Sequence, residues 1–349
     1  MRAAFLISLL WLLVGTGSAG AQEAKPKKTE PERLFRDREP LELTLRAPFG
    51  ALFKNRDTTK ANPLPGTFEF VDAKEGKKSV AVTLDTRGHF RLRRMTCGFP
   101  PIKVEFDKAT AKGTVFSGQG GIKLATHCQN SNRNEQNLLI EEAIYRMYNL
   151  LTPYSHRTRL AKITYIPEDT TKAVTRYGFF VENDKELAKR NGTALIMATG
   201  GSFSDMETDP LDLAMLFEYL IGNNDWSVVM IHNFRILDPG LGGLYIPVAY
   251  DFDFSGLVGA SYAVPDERLP IKSVKERLYR GPCRKVEELI PMLERFTQAK
   301  DSLYAVILAM PGLEPKRAKE ATDFLDDFFK EVKHPKDFNN ALGYACRGR

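Results

Sequence analysis

Acidic and amide side chains are set among strongly apolar runs between residues 217 and 256, and this stretch constrains the fold most. Asp225 follows an apolar, helix-like run that ends at Gly222, and Asn233 comes eight residues after Asp225. Asp251 and Asp253 directly follow a strand-like apolar run over 245–250. A carboxylate among apolar side chains is costly unless it is paired with a cation. We therefore expect these side chains to lie together in one polar site.

The rest of the composition is that of an ordinary globular protein. The chain has 349 residues, of which 43% are hydrophobic and 27% charged, enough for one large domain or two lobes. The formal net charge is +6, and the basic residues are scattered along the chain. A nucleic-acid partner is therefore not expected.

The first 21 residues have the pattern of a secretory signal. Arg2 precedes a short apolar core over 5–14, and small residues, Ala19-Gly20-Ala21, precede Gln22. The apolar core is short for a transmembrane span, and no later segment reaches that length. The sequence predicts cleavage after Ala21 and export to a periplasm or beyond; the alternative is an uncleaved N-terminal anchor.

Four cysteines, widely spaced, are consistent with disulfides in an exported chain. We expect Cys97 to pair with Cys128 and Cys283 with Cys346, because each pair joins neighbours within one proposed lobe. Four reduced, buried thiols are the alternative. The spacing does not match a zinc site.

The hydrophobic pattern changes along the chain. Residues 22–40 are charged and predict a flexible tether. From residue 41, short runs alternate apolar and polar positions, which predicts antiparallel strands. These runs are LELTLRAP, GTFEFVD, SVAVTLDTRG, HFRLRRM, IKVEFD, GQGGIKLATHC, RLAKITYIPE and AVTRYGFFVEN. Helices are predicted at 137–151, 211–221, 286–296, 302–310 and 315–332.

The pattern therefore predicts an α+β protein with two lobes. A strand-rich N-lobe with one main helix spans 41–182. A helix-rich C-lobe spans 183–349 and carries the acidic site, and the two lobes are expected to meet near 182–185.

Three stretches resemble the CotH-type family of spore-coat kinases, a divergent branch of the protein-kinase-like fold. IKVEF and GIKLATHC resemble its lysine-bearing strands, and NLLIEEAIYRMYNLLTPYSHRTRLAKITY with YGFFVENDKELAKR resembles its helix, Arg-x-Arg strand and hinge-like segment. NNDW, HNF and YIPVAYDFDFSG resemble its catalytic Asp, metal-binding Asn and D-x-D. The resemblance covers roughly 41–257. It implies a bilobal protein-kinase-like fold with an antiparallel-sheet N-lobe.

The resemblance also implies a site for ATP with Mg²⁺ or Mn²⁺. Asp225 takes the place of the catalytic carboxylate, and Asn233, Asp251 and Asp253 those of the metal ligands. Seven residues separate Asp225 from Asn233 where common kinases have four, so Asn224 or His232 is an alternative metal ligand.

The remaining cofactor-binding positions concern the phosphates of ATP. Lys123 is the expected phosphate-binding lysine and Lys103 the competing one. Either would be fixed by Glu141 or Glu142 from the main helix, and Glu182 lies in the hinge-like segment. Each residue also has a purely structural alternative, such as a turn cap at Asp225 or an ordinary exposed position for a lysine.

Together these features predict an exported, monomeric kinase. It would transfer the γ-phosphate of ATP to Ser/Thr of a protein or to another extracytoplasmic acceptor. The first alternative is a non-catalytic pseudokinase or envelope scaffold. The second is a metal-dependent glycosyltransferase that uses the D-x-D, although the strand order lacks a doubly wound start.

Overall fold

The computed structural model describes residues 28–72, 75–168, 172–240, 242–334, 338–340, 342–343 and 346, so the predicted signal at 1–21 lies outside the described residues. The strands are β1 (Leu41–Ala47), β2 (Leu64–Asp72), β3 (Gly76–Thr86), β4 (Ile102–Phe106), β5 (Gly121–Ala125), β6 (Thr158–Pro167), β7 (Val174–Val181), β8 (Ala194–Ile196), β9 (Phe234–Asp238) and β10 (Ile246–Ala249). The α-helices are α1 (Phe49–Leu52), α2 (Lys108–Ala111), α3 (Asn132–Leu151), α4 (Asp184–Asn191), α5 (Thr208–Ile221), α6 (Val286–Leu308) and α7 (Pro315–Glu331).

Strands β1 to β7 form a closed barrel in the order β1-β2-β3-β4-β5-β7-β6. Neighbouring strands are antiparallel except β1 and β6, whose parallel pairing closes the barrel. This closing pair runs from Leu41 opposite Ala161 to Ala47 opposite Pro167. Closure removes the unpaired edges that an open sheet would expose.

Alternating apolar residues supply the interior of the barrel. In β3, Val80, Val82 and Leu84 are buried, whereas the residues between them are exposed. The rings of Phe68 and Phe116 stack in the same core, with centroids 5.8 Å apart. The predicted period of two therefore corresponds to an inside and an outside of the barrel.

A small sheet and four of the described α-helices come after the barrel strands in the chain. Strands β8 to β10 form a small antiparallel sheet in the order β10-β9-β8, and α5 packs against β10. Helix α3 contacts β6 and β7 on one side and α6 on the other. Because α3 is covered on two sides, Leu139, Ala143 and Met147 are buried, and so are Ile140 and Ile144.

The expectation of a bilobal protein-kinase-like fold with an open antiparallel sheet is wrong. The seven strands close into a mixed barrel, beside a small three-stranded sheet and the helices. The error has a physical cause: an open sheet and a barrel have the same apolar alternation along each strand. What separates them is the pairing of β1 with β6, and these strands are distant in sequence.

Two local predictions are also wrong. HFRLRRM is not a strand: it contains a short 3₁₀-helix, Phe90–Leu92, in the loop between β3 and β4. Phe90 and Leu92 alternate with arginines, but Arg91 is buried next to Leu92, so the alternation does not separate a buried face from an exposed one. The two helices predicted at 286–296 and 302–310 are one helix, α6, with Pro291 inside it.

The described part of the predicted tether, residues 28–40, packs onto the barrel. It forms a 3₁₀-helix, Arg33–Phe35, whose Leu34 and Phe35 side chains are buried in the barrel core. Two apolar residues in a charged segment are enough to anchor it.

Both expected cysteine pairings are confirmed. Cys97 is bonded to Cys128, and Cys283 is bonded to Cys346. These disulfides fit a secreted protein. Within the described ranges, no helix combines the length and the apolar character that a membrane span requires.

Candidate functional site

The hairpin of β9 and β10 places Asn233 and Asp251 at the same end of the small sheet. Asn233 immediately precedes β9, and the Tyr250 N–H donates to the Asn233 carbonyl at 3.1 Å. Both Asn233 and Asp251 have left-handed backbone, with φ of 52° and 64°. The Tyr145 hydroxyl accepts from the Asp251 N–H at 2.8 Å. Strained non-glycine residues of this kind cluster at functional sites.

Asp225 lies beside this hairpin, in the turn after α5. Asn233 Nδ2 donates to the Asp225 carbonyl at 2.6 Å and to its carboxylate at 3.2 Å. His232 Nε2 lies 3.1 Å from the other carboxylate oxygen, and this hydrogen bond raises the pKa of His232. The Asp225 side chain is 39% exposed, so it is positioned by both neighbours yet open to a ligand.

Arg91 brings three carboxylates together. Its guanidinium lies 3.2 Å from Asp253, 3.3 Å from Asp251 and 3.6 Å from Glu141. The Tyr262 hydroxyl donates to the same Asp253 oxygen at 2.9 Å. Sequence reasoning missed Arg91 because its partners come from α3 and from the segment after β10.

The carboxylate cluster places three acidic groups around one guanidinium, and burial favours their protonated forms. Burial raises the pKa of Glu141 to about 8, with Arg91 opposing the shift. Burial also raises the pKa of Asp253 to about 6, again against Arg91. Both shifts bring the negative charge of the cluster closer to the single positive charge of Arg91.

Lys123 on β5 approaches the same place from the barrel. Its Nζ is buried without a hydrogen-bond partner, and the nearest ion-pair contact is Asp184 at 3.5 Å. The ammonium also lies 4.7 Å from the centre of the Tyr250 ring. Burial lowers the pKa of Lys123 to about 8. Lys123 and Asp251 line one small cavity of about 10 Å³, together with Arg87, Arg91 and Glu141.

Three of the expected cofactor residues do not face this cavity. Lys103 is exposed on β4, 4.0 Å from Glu105. Glu142 is fully buried and accepts from Arg146 at 2.7 Å and from Thr158 at 3.0 Å. Glu182 is held bidentately by Arg190, through Nε at 2.9 Å and Nη2 at 3.0 Å. The structure thus brings Lys123 and Glu141 to the site and gives Glu142 and Glu182 structural partners.

The expected metal ligands fit a divalent cation by chemistry and charge. Asp251 and Asp253 with the amide oxygen of Asn233 are the hard oxygen donors that Mg²⁺ and Mn²⁺ prefer. Among the described residues, however, no group of three or more acidic, His or Cys side chains is arranged to hold a metal. Arg91 is the cation that now contacts both aspartates.

A larger groove of about 820 Å³ opens on the exposed side of Asp225. Asp225 and His232 lie in its wall, and Met230 and Val264 contribute apolar side chains that are 64% and 65% exposed. A mixed apolar and polar groove of this size is typical of a ligand or substrate site.

No protein-family model matches the chain, and no curated protein matches it either. A functional conclusion therefore depends on the residues that the fold brings together. These are Asp225, Asn233, Asp251 and Lys123, with Arg91 beside them.

Proposed function

We propose that this chain is an exported phosphotransferase, which transfers the γ-phosphate of ATP to a hydroxyl of a protein or of another extracytoplasmic acceptor. One observation supports this most directly: Asn233 Nδ2 donates to Asp225, and the Asn233 carbonyl accepts from Tyr250, the residue before Asp251, at one end of the β9–β10 hairpin. The resemblance of the same stretch to CotH-type kinases supports the same activity.

Phosphoryl transfer needs positioning and charge neutralisation more than covalent chemistry from the protein. The acceptor hydroxyl would lie in the groove beside Asp225, which orients it and takes its proton. The new acceptor O–P bond forms while the bond from the γ-phosphorus to the oxygen of ADP breaks. Lys123 supplies a positive charge for the phosphates, because its ammonium has no hydrogen-bond partner and its pKa of about 8 keeps it mostly charged at neutral pH.

Asp251, Asp253 and Asn233 are the residues that would hold Mg²⁺ or Mn²⁺. The ion, when bound, would neutralise charge on the β- and γ-phosphates. Asp251 and Asp253 supply the anionic oxygens, and Asn233 supplies a neutral one while its Nδ2 stays on Asp225.

A non-catalytic scaffold is the second candidate, and one observation favours it. Arg91 already neutralises Asp251 and Asp253, and the cavity between Lys123 and Asp251 is about 10 Å³, room for about one water. A site that is filled internally does not need a nucleotide.

The two candidates are separated by nucleotide titration and a radiolabel transfer assay. The wild type should bind ATP in Mg²⁺ or Mn²⁺, with GTP and UDP-sugars as comparisons. Asp251→Asn should weaken metal-dependent binding by about tenfold or more. Asp225→Asn should keep binding and lose transfer, because an orienting group acts mainly in the transition state.

Asp323→Asn, on an exposed part of α7, is the matched control and should behave as wild type. Wild-type protein that binds no nucleotide with any divalent cation would support the scaffold instead. Equal loss of folding in Asp225→Asn and Asp251→Asn would assign both residues a structural role.

A further inference from the structure

A second pocket, far richer in positive charge, lies between residues 30–38, the C-terminal half of α3 and the start of β6. Its volume is about 340 Å³, within the roughly 300–1,000 Å³ typical of small-molecule sites. Four arginines line it, Arg36, Arg38, Arg146 and Arg157, against one carboxylate, that of Glu30. We call it the arginine pocket.

The arginine pocket is not neutralised from within. Arg146 forms an ion pair with Glu142. Among the residues that the structure describes, Arg146 is the only one of the four arginines with a carboxylate within ion-pair distance. Arg36 donates to the Pro31 carbonyl at 2.8 Å. Glu30 lines the pocket, but the described residues show no ion pair between Glu30 and any of the four arginines.

Arg157 is the most informative member. Its Nε is buried and has no hydrogen-bond partner. Burial lowers the pKa of Arg157, and the neighbouring charges of Arg190 and Arg38 lower it further. Glu182 acts on Arg157 in the opposite direction, but both oxygens of Glu182 already accept from Arg190. A buried donor without a partner costs stability, and an anion bound beside Arg157 would remove that cost.

The shape and charge define the class of that ligand. A guanidinium presents parallel N–H donors that match the oxygens of a phosphate group. An anion bound among several guanidinium groups also offsets the repulsion between them. We propose that the arginine pocket binds a small phosphate-bearing anion, held chiefly by Arg157 and Arg38.

This site is separate from the proposed catalytic site. Glu141 points to the Arg91 cluster, whereas the next residue, Glu142, holds Arg146 of the arginine pocket. The proposal therefore does not depend on phosphotransfer, and either proposal can fail without the other.

The test is calorimetric titration and thermal unfolding of the exported protein with inorganic pyrophosphate, orthophosphate and glycerol phosphate, in EDTA at constant ionic strength. Wild type should bind at least one of these probes and unfold at higher temperature in its presence. Stronger binding of glycerol phosphate than of orthophosphate would identify an ester as the natural source; the reverse would identify free phosphate.

Arg157→Gln and Arg38→Gln should each weaken binding by about tenfold or more, as expected for loss of one charged hydrogen-bonding group. Arg46→Gln, which removes the same charge from an exposed pair with Glu69, should bind as wild type. Arg157→Gln should also unfold no earlier than wild type without phosphate, because Arg157 has no partner to lose, and should keep Mg²⁺-dependent ATP binding.

Three results would overturn the proposal. One is the absence of binding for all three probes. Another is an equal loss of binding in Arg46→Gln, which would mean that the probes respond only to net charge. The third is a marked loss of stability in phosphate-free Arg157→Gln, which would make Arg157 a structural residue.

Discussion

Arg91 Nε lies 3.2 Å from Asp253 Oδ2, so a side chain from the loop after β3 neutralises a carboxylate that follows β10. The same guanidinium reaches Asp251 and Glu141. Arg91 links the barrel to the hairpin segment, and under the proposed function a divalent cation would compete with it for the two aspartates.

Removing Arg91 should expose this competition. Arg91→Met leaves buried carboxylates without their cation, which typically costs about 3–5 kcal/mol. Added Mg²⁺ or Mn²⁺ should restore part of that loss, so the unfolding temperature of Arg91→Met should rise with the cation more than that of wild type. Thermal unfolding in EDTA and in millimolar cation measures both effects.

Arg93→Gln is the matched control, because Arg93 is exposed in the same loop and its guanidinium lies over the face of Phe90. Adding Asp253→Asn to Arg91→Met should recover stability and reduce the response to cation. Identical cation responses in wild type and Arg91→Met would show that Arg91 does not occupy a cation position.

Lys123→Met should stabilise the fold. The pKa of Lys123 falls from 10.5 to about 8 in the folded state, so the folded state disfavours its charge. Below pH 8 both states carry the charge, and its burial costs the folded state about 1–3 kcal/mol. From pH 8 to 10.5 only the unfolded chain holds the proton, so the stability of the wild type should rise over this range. Chemical denaturation across this range should show a flatter profile for the variant. If the variant is less stable than wild type at pH 7, the buried charge of Lys123 does not destabilise the folded state, and the prediction is wrong.

His127 should make the protein sensitive to acid. Its ring is buried, neither nitrogen has a hydrogen-bond partner, and burial with nearby Arg176 lowers its pKa from 6.5 to about 4. Stability is unaffected above pH 6.5 and falls between pH 6.5 and 4, where only the unfolded state gains the proton, by about 2–4 kcal/mol. His127→Phe, which suits the contacts with Phe99 and Tyr165, should remove this slope.

Denaturation at several pH values tests the role of His127, with exposed His89→Gln as the control. An unchanged slope in His127→Phe would place the acid sensitivity in other groups.

The disulfide Cys97–Cys128 should hold the loop of Arg91 in place. Cys97 follows Arg91 in that loop, and Cys128 follows β5. Replacing both cysteines by serine should cost about 2–4 kcal/mol and should increase the effect of Mg²⁺ on unfolding, because Arg91 is held less firmly. The double replacement of Cys283 and Cys346 should cost a similar amount without changing the response to Mg²⁺. Equal Mg²⁺ responses in both variants would show that the Cys97–Cys128 disulfide does not affect the carboxylate cluster.

Local patterns in the sequence predict much of the fold because burial on one face repeats every second residue in a strand. That rule finds β1 to β7 and the inward positions Val80, Val82 and Leu84. It does not find the closing pair of β1 and β6, whose contacts join distant parts of the chain. It also places HFRLRRM in a strand, because Phe90 and Leu92 alternate with Arg91, which the rule expects to be exposed but which is buried.

The candidate site is predictable where charge interrupts an apolar run. Asp251 and Asp253 stand out for that reason, and Asp225 and Asn233 lie beside them as expected. The choice between Glu141 and Glu142, or between Lys123 and Lys103, depends on which way each side chain points. Arg91 and the arginine pocket depend on tertiary contacts among segments that are distant in sequence.

The parallel pairing of β1 with β6 also has a consequence for how the protein matures. Leu41 finds its partner, Ala161, only after the intervening strands and α3 have been synthesised. The hairpins from β2 to β5 can form early, since their partners are near in sequence, whereas closure waits for a contact between distant segments. Until then β1 and β6 each present an unpaired backbone edge. The partly folded chain is therefore most prone to aggregate just before the barrel closes.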